Sequence, residues 1–176
     1  IRYELFPFSY KEYLKFIHEK PNIETFESYL FKGGFPEYLE IQREEILREL
    51  FNDIIVRDIV ARYKLRQSKT IKELAIYLLS NIGKEFSYRQ LKRMLNIGST
   101  NSIISYVSYL EESYLLHSVP RFSYSYKKQT INPKKIYSID NGLTRANSAS
   151  FTKDLGRMLE NLVFLHLRKR YIDIYY

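Results

Sequence analysis

With 176 residues, 45% of them hydrophobic and 27% charged, the chain is long enough to bury a core and too apolar to be disordered. It has no cysteine, which excludes disulfides and thiolate metal sites, and its three histidines lie far apart, so no metal centre is expected. No apolar run approaches the roughly 20 residues of a membrane helix, and the N-terminus lacks a signal-peptide layout, so a cytoplasmic protein without membrane contact is expected.

The formal charge of +8 is unevenly spread. Residues 1–66 carry 11 Lys/Arg against 12 Asp/Glu, residues 67–137 carry 11 against 4, and residues 138–176 carry 6 against 4. Nearly all the excess sits in the middle stretch, where a local positive field attracts polyanions.

In chain order, Ser9 with Glu12 three residues on forms a capping box that opens a helix over Tyr10 to Glu19. Pro21-Asn22 breaks it, a second helix starts around Thr25 to Phe31, and Gly33-Gly34 stops that one before Phe35-Pro36 restarts the chain. Glu44 to Tyr63 is the longest periodic segment and predicts a central helix. Within it Asp53–Arg57 and Asp58–Arg62 stand at i,i+4 spacing, which suits ion pairs. A nucleotide or partner-domain contact is the alternative for Arg57 and Asp58.

Ser68 to Ile82 predicts an amphipathic helix ending at Gly83. Ser87-Tyr88-Arg89-Gln90 is a capping box opening a short helix, Asn96-Ile97-Gly98 is a turn with the glycine supplying the unusual dihedral, and Ser99 caps a longer helix buried through Ile103, Ile104, Val107, Leu110 and Tyr114. A short helix, a Gly-containing turn and a Ser-capped longer helix form the helix-turn-helix pattern. Extended segments are predicted at Tyr114 to Val119, Phe122 to Tyr126 and Lys134 to Ile139, so that three helices followed by a hairpin make a winged helix; a generic helical bundle with a terminal hairpin is the bland alternative. Asp140-Asn141-Gly142 reads as a turn, Thr152 as the cap of a long helix through Leu155, Met158, Leu159, Leu162, Val163 and His166, and Tyr171 to Tyr176 as the start of a strand.

A helix-turn-helix places the first turn of its second helix in the major groove. The candidates there are Ser99, Thr100, Asn101, Ser102 and Ser105, of which Asn pairs bidentately with adenine. Phosphate contacts are expected from Arg89, Lys92 and Arg93 on the preceding helix and from Arg121, Lys127 and Lys128 in the wing, with Tyr124 and Tyr126 alternating with the wing cations. No Lys or Arg lies between Arg93 and Arg121. The expected binding to double-stranded DNA is therefore phosphate-led and weakly sequence-selective. The alternative is that this positive face is incidental and the domain docks on protein. No phosphate-binding glycine loop, nucleophile elbow or HExxH is present, so this chain is not expected to be an enzyme or to hold a cofactor.

Five segments carry a resemblance. Pro7-Phe8-Ser9-Tyr10-Lys11-Glu12-Tyr13 resembles the PLSF-x-EF segment that closes the ATPase core in a group of archaeal and bacterial AAA-type ATPases. Gly33-Gly34-Phe35-Pro36-Glu37 is similar to their GGFPE, Val56-Arg57-Asp58-Ile59 to their RDI, Lys135 to Leu143 to their K-I-Y-x-x-D-x-G-L, and Leu155 to Val163 to their LGRxLENxV. The resemblance implies a helical lid-like subdomain (1–66), a winged-helix domain (67–137) and the first part of an incomplete restriction-endonuclease-like α/β domain (138–176), in a chain that is mainly α with a small β component. It places ATP and Mg²⁺ only in an ATPase domain preceding Ile1. Glu160 matches the first acidic position of a PD-(D/E)xK site whose other ligands would follow Tyr176; by itself it reads as a helix glutamate paired with Arg157.

Three classes of function follow: a DNA-binding region of an AAA-type ATPase, a docking module for the missing ATPase domain or a partner protein, and an inert nuclease fragment. A homo-oligomer is left open.

Overall fold

A computed structural model describes residues 4–66, 68–148 and 154–176. Among these the protein is mainly helical with one three-stranded antiparallel sheet, as the sequence predicts. Helices α1 (Tyr10–Ile17) and α2 (Ile23–Lys32) both begin with complete capping boxes, Ser9 with Glu12 and Asn22 with Thr25, which satisfy backbone donors at each start. Gly33 ends α2 at φ 74°, a conformation that only glycine adopts without cost. Pro36 then supplies the first residue of a short helix, α3 (Pro36–Ile41).

The long helix predicted from Glu44 to Tyr63 is not uniform. Helix α4 (Glu44–Asp53) passes directly into a π-helix, π1 (Ile54–Ala61). The π segment is a run of β-branched residues, Ile54, Ile55, Val56, Ile59 and Val60, whose side chains crowd at α-helical spacing. It buries Ile55 and Ile59 and leaves Val56, Arg57 and Asp58 exposed. Arg57 pairs with Asp53 at 3.3 Å, as its spacing predicts.

Helix α5 (Ser68–Leu79) buries Ile71, Leu74, Ala75, Leu78 and Leu79. A short strand, β1 (Glu85–Phe86), follows, then α6 (Tyr88–Met94), α7 (Thr100–Glu112), β2 (Leu116–Pro120), α8 (Tyr126–Ile131), β3 (Lys134–Ser138), α9 (Asn141–Asn147) and α10 (Leu155–Arg168). The strand order is β1-β3-β2, with Leu116 opposite Ser138 and Pro120 opposite Lys134 in one pair, and Phe86 opposite Lys134 in the other. One core runs from Tyr13 through Leu47, Ile59, Leu78, Leu91, Leu110 and Ile136 to Leu143. Each fully buried aliphatic side chain in it contributes about 2 kcal/mol.

Several local expectations are corrected. Residues 122–126 form no strand, because Ser125 caps α8 by accepting from the Lys128 N–H, which turns the chain into a helix instead of a hairpin arm. In the turn after α6 the left-handed residue is Asn96 (φ 51°) and not Gly98, since asparagine tolerates that region and there closes the helix. Ile104 points outward, because only Ile103, Val107 and Leu110 share the stripe of α7 that meets the core.

Asp140-Asn141-Gly142 is a helix start and not a free turn: the Asp140 carboxylate accepts from the Leu143 N–H at 2.8 Å and caps α9. On α10 the buried residues are Met158, Asn161 and Phe164, while Leu155, Leu159, Val163 and Leu167 make an exposed apolar ridge, so the predicted stripe is rotated. The expected cap Thr152 lies outside the described residues, as does the boundary residue Gln67, and Asp154 caps the described helix. Residues 171–176 form no strand, although Tyr176 exchanges backbone hydrogen bonds with Pro120 and Phe122.

Two glycines give a clean contrast. A Cβ at Gly142 would overlap the Lys32 carbonyl oxygen, whereas at Gly98 it meets nothing within 4 Å. Gly142→Ala is expected to lower the unfolding free energy by about 3 kcal/mol, and Gly98→Ala to change it by less than about 0.5 kcal/mol, both measured by urea denaturation. Equal effects would refute the close packing of α2 on α9.

Candidate nucleic-acid interface

The six cations predicted to meet phosphate occupy two segments that leave the sheet at the same end. Phe86, Lys134 and Pro120 stand in one row across β1, β3 and β2. One residue beyond Phe86, Ser87 caps α6 by accepting from the Gln90 N–H; one residue beyond Pro120, Arg121 begins the segment that carries Lys127 and Lys128. Lys134 fastens this end, its amine donating to the Tyr88 hydroxyl at 3.2 Å.

On α6, Arg89, Lys92 and Arg93 stand at i, i+3 and i+4 and so share one face, opposite the fully buried Leu91. Arg89 and Arg93 are exposed and Lys92 is half-buried. Arg121, Lys127 and Lys128 are all exposed. None of the six makes an ion pair with a described residue. Of the five other cations of the middle stretch, Lys69 pairs with Glu73, Lys72 donates to Asn52, Lys134 donates to Tyr88 and Lys135 is held by Glu160, whereas Lys84, just before β1, is exposed and makes no ion pair with a described residue.

The α6–α7 link brings the first turn of α7 next to the end of α6. Ser99 caps α7 by accepting from the Asn101 N–H at 3.2 Å. Asn101 is exposed on the outward face with the exposed Ile104 three residues on, whereas Thr100, Ser102 and Ser105 are half-buried. The far end of α7 is bound into the protein, where Tyr109 stacks on Tyr63 at 3.8 Å between centroids and Glu112 accepts from the Tyr63 hydroxyl. The N-terminal half of α7 presents Asn101 and Ile104 outward.

Four of the five resembled segments, all but Val56 to Ile59, meet elsewhere, in a buried polar network. Asp140 accepts from the Gly34 N–H at 2.6 Å as well as from Leu143. A Cβ at Gly33 would overlap the Asp140 carboxylate. Asn161 accepts from the Ser138 N–H at 2.9 Å and donates to the Asn141 side chain at 2.9 Å, and Asn141 donates to the carbonyls of Leu30 and Met158. Phe8 joins from the first motif through its N–H to Gly34 at 2.8 Å, and its own carbonyl accepts from the Tyr29 hydroxyl. Sequence spacing could not show that these segments converge.

Glu160 accepts from Lys135 and from the Tyr137 hydroxyl, each at 2.7 Å. The pairing with Arg157 expected from the sequence is replaced, because Arg157 binds Asp154 at 2.6 Å. Partial burial pushes the Glu160 carboxyl up, but the hydrogen bonds from Lys135 and Tyr137 together with the lysine charge hold it below the usual range. Sequence reasoning also missed the exposed ring of Phe122 and the role of Tyr176, which clips the 121–133 segment at both ends. The Tyr176 N–H donates to Pro120, its carbonyl accepts from Phe122, and its hydroxyl donates to Pro133 at 3.0 Å. The only available signal was the lack of any acidic residue between Glu112 and Asp140.

A family model described as a domain of unknown function, DUF8612, matches residues 23–154, most of the chain. The chain therefore belongs to the DUF8612 family. It is 36% identical over 189 residues to an uncharacterised protein of Methanocaldococcus jannaschii, covering 97% of this chain and 42% of that one. It is 26% identical over 185 residues to an uncharacterised protein of Haemophilus influenzae, covering 97% of this chain and 45% of that one. This DUF8612 chain thus spans less than half the length of the curated relatives it matches. No solved structure gives a significant match. No described helix is long and apolar enough to cross a membrane.

The buried carboxylate makes a measurable prediction. Burial raises the Asp140 pKa from 3.8 to about 6, against the opposing pull of the N–H groups of Gly34, Leu143 and Gly142. The folded chain then holds this proton more tightly than the unfolded chain between those values. The group's contribution to stability falls as pH rises from about 4 to about 6 and is level above that. Carboxyl NMR should give Asp140 a midpoint near 6. A midpoint at or below the ordinary aspartate value would overturn the dominance of burial.

Proposed function

We propose that residues 67–137 form a winged helix that binds double-stranded DNA through its phosphates, as a regulatory, non-catalytic region of a longer cytoplasmic AAA-type ATPase. The observation that carries this reading is the set of six cations that make no ion pair with a described residue, Arg89, Lys92, Arg93, Arg121, Lys127 and Lys128, on two segments leaving the same end of the sheet. Supporting it is the element order α5-β1-α6-α7-β2-α8-β3 with the β1-β3-β2 sheet, in which α7 follows α6 after a tight turn and exposes Asn101. Release of counterions from phosphate drives such binding and makes it salt-dependent. With no Lys or Arg on α7, base selectivity is weak, resting on Asn101, Ser105 and neighbouring hydroxyls. The placement within an ATPase rests on the five resembled motifs, and it fits relatives more than twice as long as this chain. On the same resemblance, residues 138–176 are the beginning of a nuclease-like domain in which Glu160, held by Lys135 and Tyr137, does no chemistry alone.

A second reading has its own observation. The exposed ridge of Leu155, Leu159, Val163 and Leu167 on α10 is an apolar edge of the kind that protein contacts cover. Docking on another part of the parent protein would use that face, which is separate from the six cations, so the two readings are compatible.

The test is fluorescence anisotropy with a blunt 20-base-pair duplex. If about six phosphates are contacted, affinity falls by about a thousandfold between 50 and 200 mM salt. Reversal of Arg89, Lys92, Arg93, Lys127 and Lys128 to Glu abolishes binding with an unchanged circular-dichroism spectrum. Absence of duplex binding at 50 mM salt would reject the DNA reading in favour of docking.

A further inference from the structure

The segment between β2 and β3 has a surface that duplex phosphates alone do not explain. It exposes three aromatic rings, Phe122 at 54%, Tyr124 at 100% and Tyr126 at 83% of their accessible area. Leaving such large apolar surfaces in water forgoes the burial that aromatic side chains usually obtain. The rings alternate with Ser123 and Ser125 and are flanked by Arg121 on one side and Lys127 and Lys128 on the other, and the chain carries no acidic residue anywhere between Glu112 and Asp140.

The rings stand on a built support. Phe122 packs edge-on against Tyr124 at 5.2 Å and against Tyr175 at 5.8 Å. Its N–H donates to the Tyr176 carbonyl at 3.0 Å, the Gln129 side-chain amide donates to the Ser123 carbonyl at 2.6 Å, and Tyr176 clips Pro120 and Pro133 at the two ends of the segment. Tethering the backbone in this way lowers the ordering cost of binding.

The chemistry of an occupant follows from two requirements. It must offer flat apolar faces to the rings and negative charge to the cations that flank them. Paired bases inside a duplex are stacked on both faces and offer none; unpaired bases on a phosphate backbone offer both, and aromatic side chains beside a positively charged surface are the usual way proteins hold them. We infer that the 121–128 segment is a stacking platform for unpaired bases, so that the preferred substrate is a duplex continuing into a single-stranded tail. This inference rests on the duplex-binding reading above. Because α6 and the 121–128 segment leave the sheet from one row, Phe86–Lys134–Pro120, a tail leaving the duplex has only the width of the sheet to cross.

The experiment compares the full chain on a blunt 20-base-pair duplex and on the same duplex with a ten-nucleotide dT tail, at 50 mM salt. The tailed substrate is expected to bind at least tenfold more tightly. The Tyr124→Ala/Tyr126→Ala double variant should lose that advantage while keeping blunt-duplex affinity within about twofold, and Tyr124→Phe/Tyr126→Phe should retain it, because stacking needs the ring and not the hydroxyl. Both side chains are exposed, so neither variant threatens the fold. If blunt duplex binds but the tail adds nothing, or its gain survives the alanine pair, the stacking platform is refuted and duplex binding stands. If neither substrate binds, both readings fail together.

Discussion

The carboxylate of Asp140 sits where the end of β3 leads into the first turn of α9, and it joins both to the turn after α2, 106 residues earlier in the chain. Its two oxygens have separate duties, one accepting from Gly34 and the other from Leu143. Any replacement that changes one oxygen into a donor or removes it leaves a buried N–H unpaired, which costs about 1–3 kcal/mol per group. The space around it is equally constrained. Gly33 and Gly142 let the α2 end and the α9 start approach until no side-chain carbon fits between them. Asn141 and Asn161 extend the network to α2 and α10, so that the sheet, the N-terminal helices and the long final helix are tied through five buried polar residues.

This arrangement changes the meaning of the motifs that stand out in the sequence. Gly33-Gly34, the Asp140-Asn141-Gly142-Leu143 run and Asn161 are residue types that often mark chemistry, yet here their hydrogen bonds are spent on one another and on the backbone. Their work is to hold elements in register. The surface that remains free for a partner lies elsewhere, on α6, on the outward half of α7 and on the 121–128 segment, where cations have no carboxylates beside them and rings face water. The β1-β3-β2 sheet joins the two regions. Its β3 strand leads at one end into the Asp140 junction and at the other into Lys134, beside the start of α6 and of the exposed segment.

The π-helix Ile54–Ala61 shows how packing overrides a periodic pattern. A run of β-branched residues reads as an ordinary helix by spacing, but the chain widens into a π-helix that buries Ile55 and Ile59 and leaves Val56, Arg57 and Asp58 outside. The same holds on α10, where a plausible apolar stripe was displaced because the core needed the amide of Asn161 more than the methyls of Leu159 or Val163. In each case the winning residue satisfies a partner from another element, and no local property of the segment contains that information.

Much of the local architecture was legible in the residues themselves. The capping box at Ser9, the break at Pro21-Asn22, the stop at Gly33, the caps at Ser87 and Ser99 and the concentration of charge in 67–137 all follow from short-range rules in which a side chain acts on its own backbone. So did the mainly helical class with its small sheet. What only the tertiary structure decided were the features that need a partner from far away: Asp140 as a buried junction and not a turn, Lys135 and Tyr137 instead of Arg157 as the partners of Glu160, the clip that Tyr176 places on the 121–133 segment, and the resulting exposure of Phe122 beside Tyr124. Local propensity acts over three or four residues, whereas these contacts join positions from 23 to 106 residues apart, and their choice is set by which groups folding brings within hydrogen-bond reach.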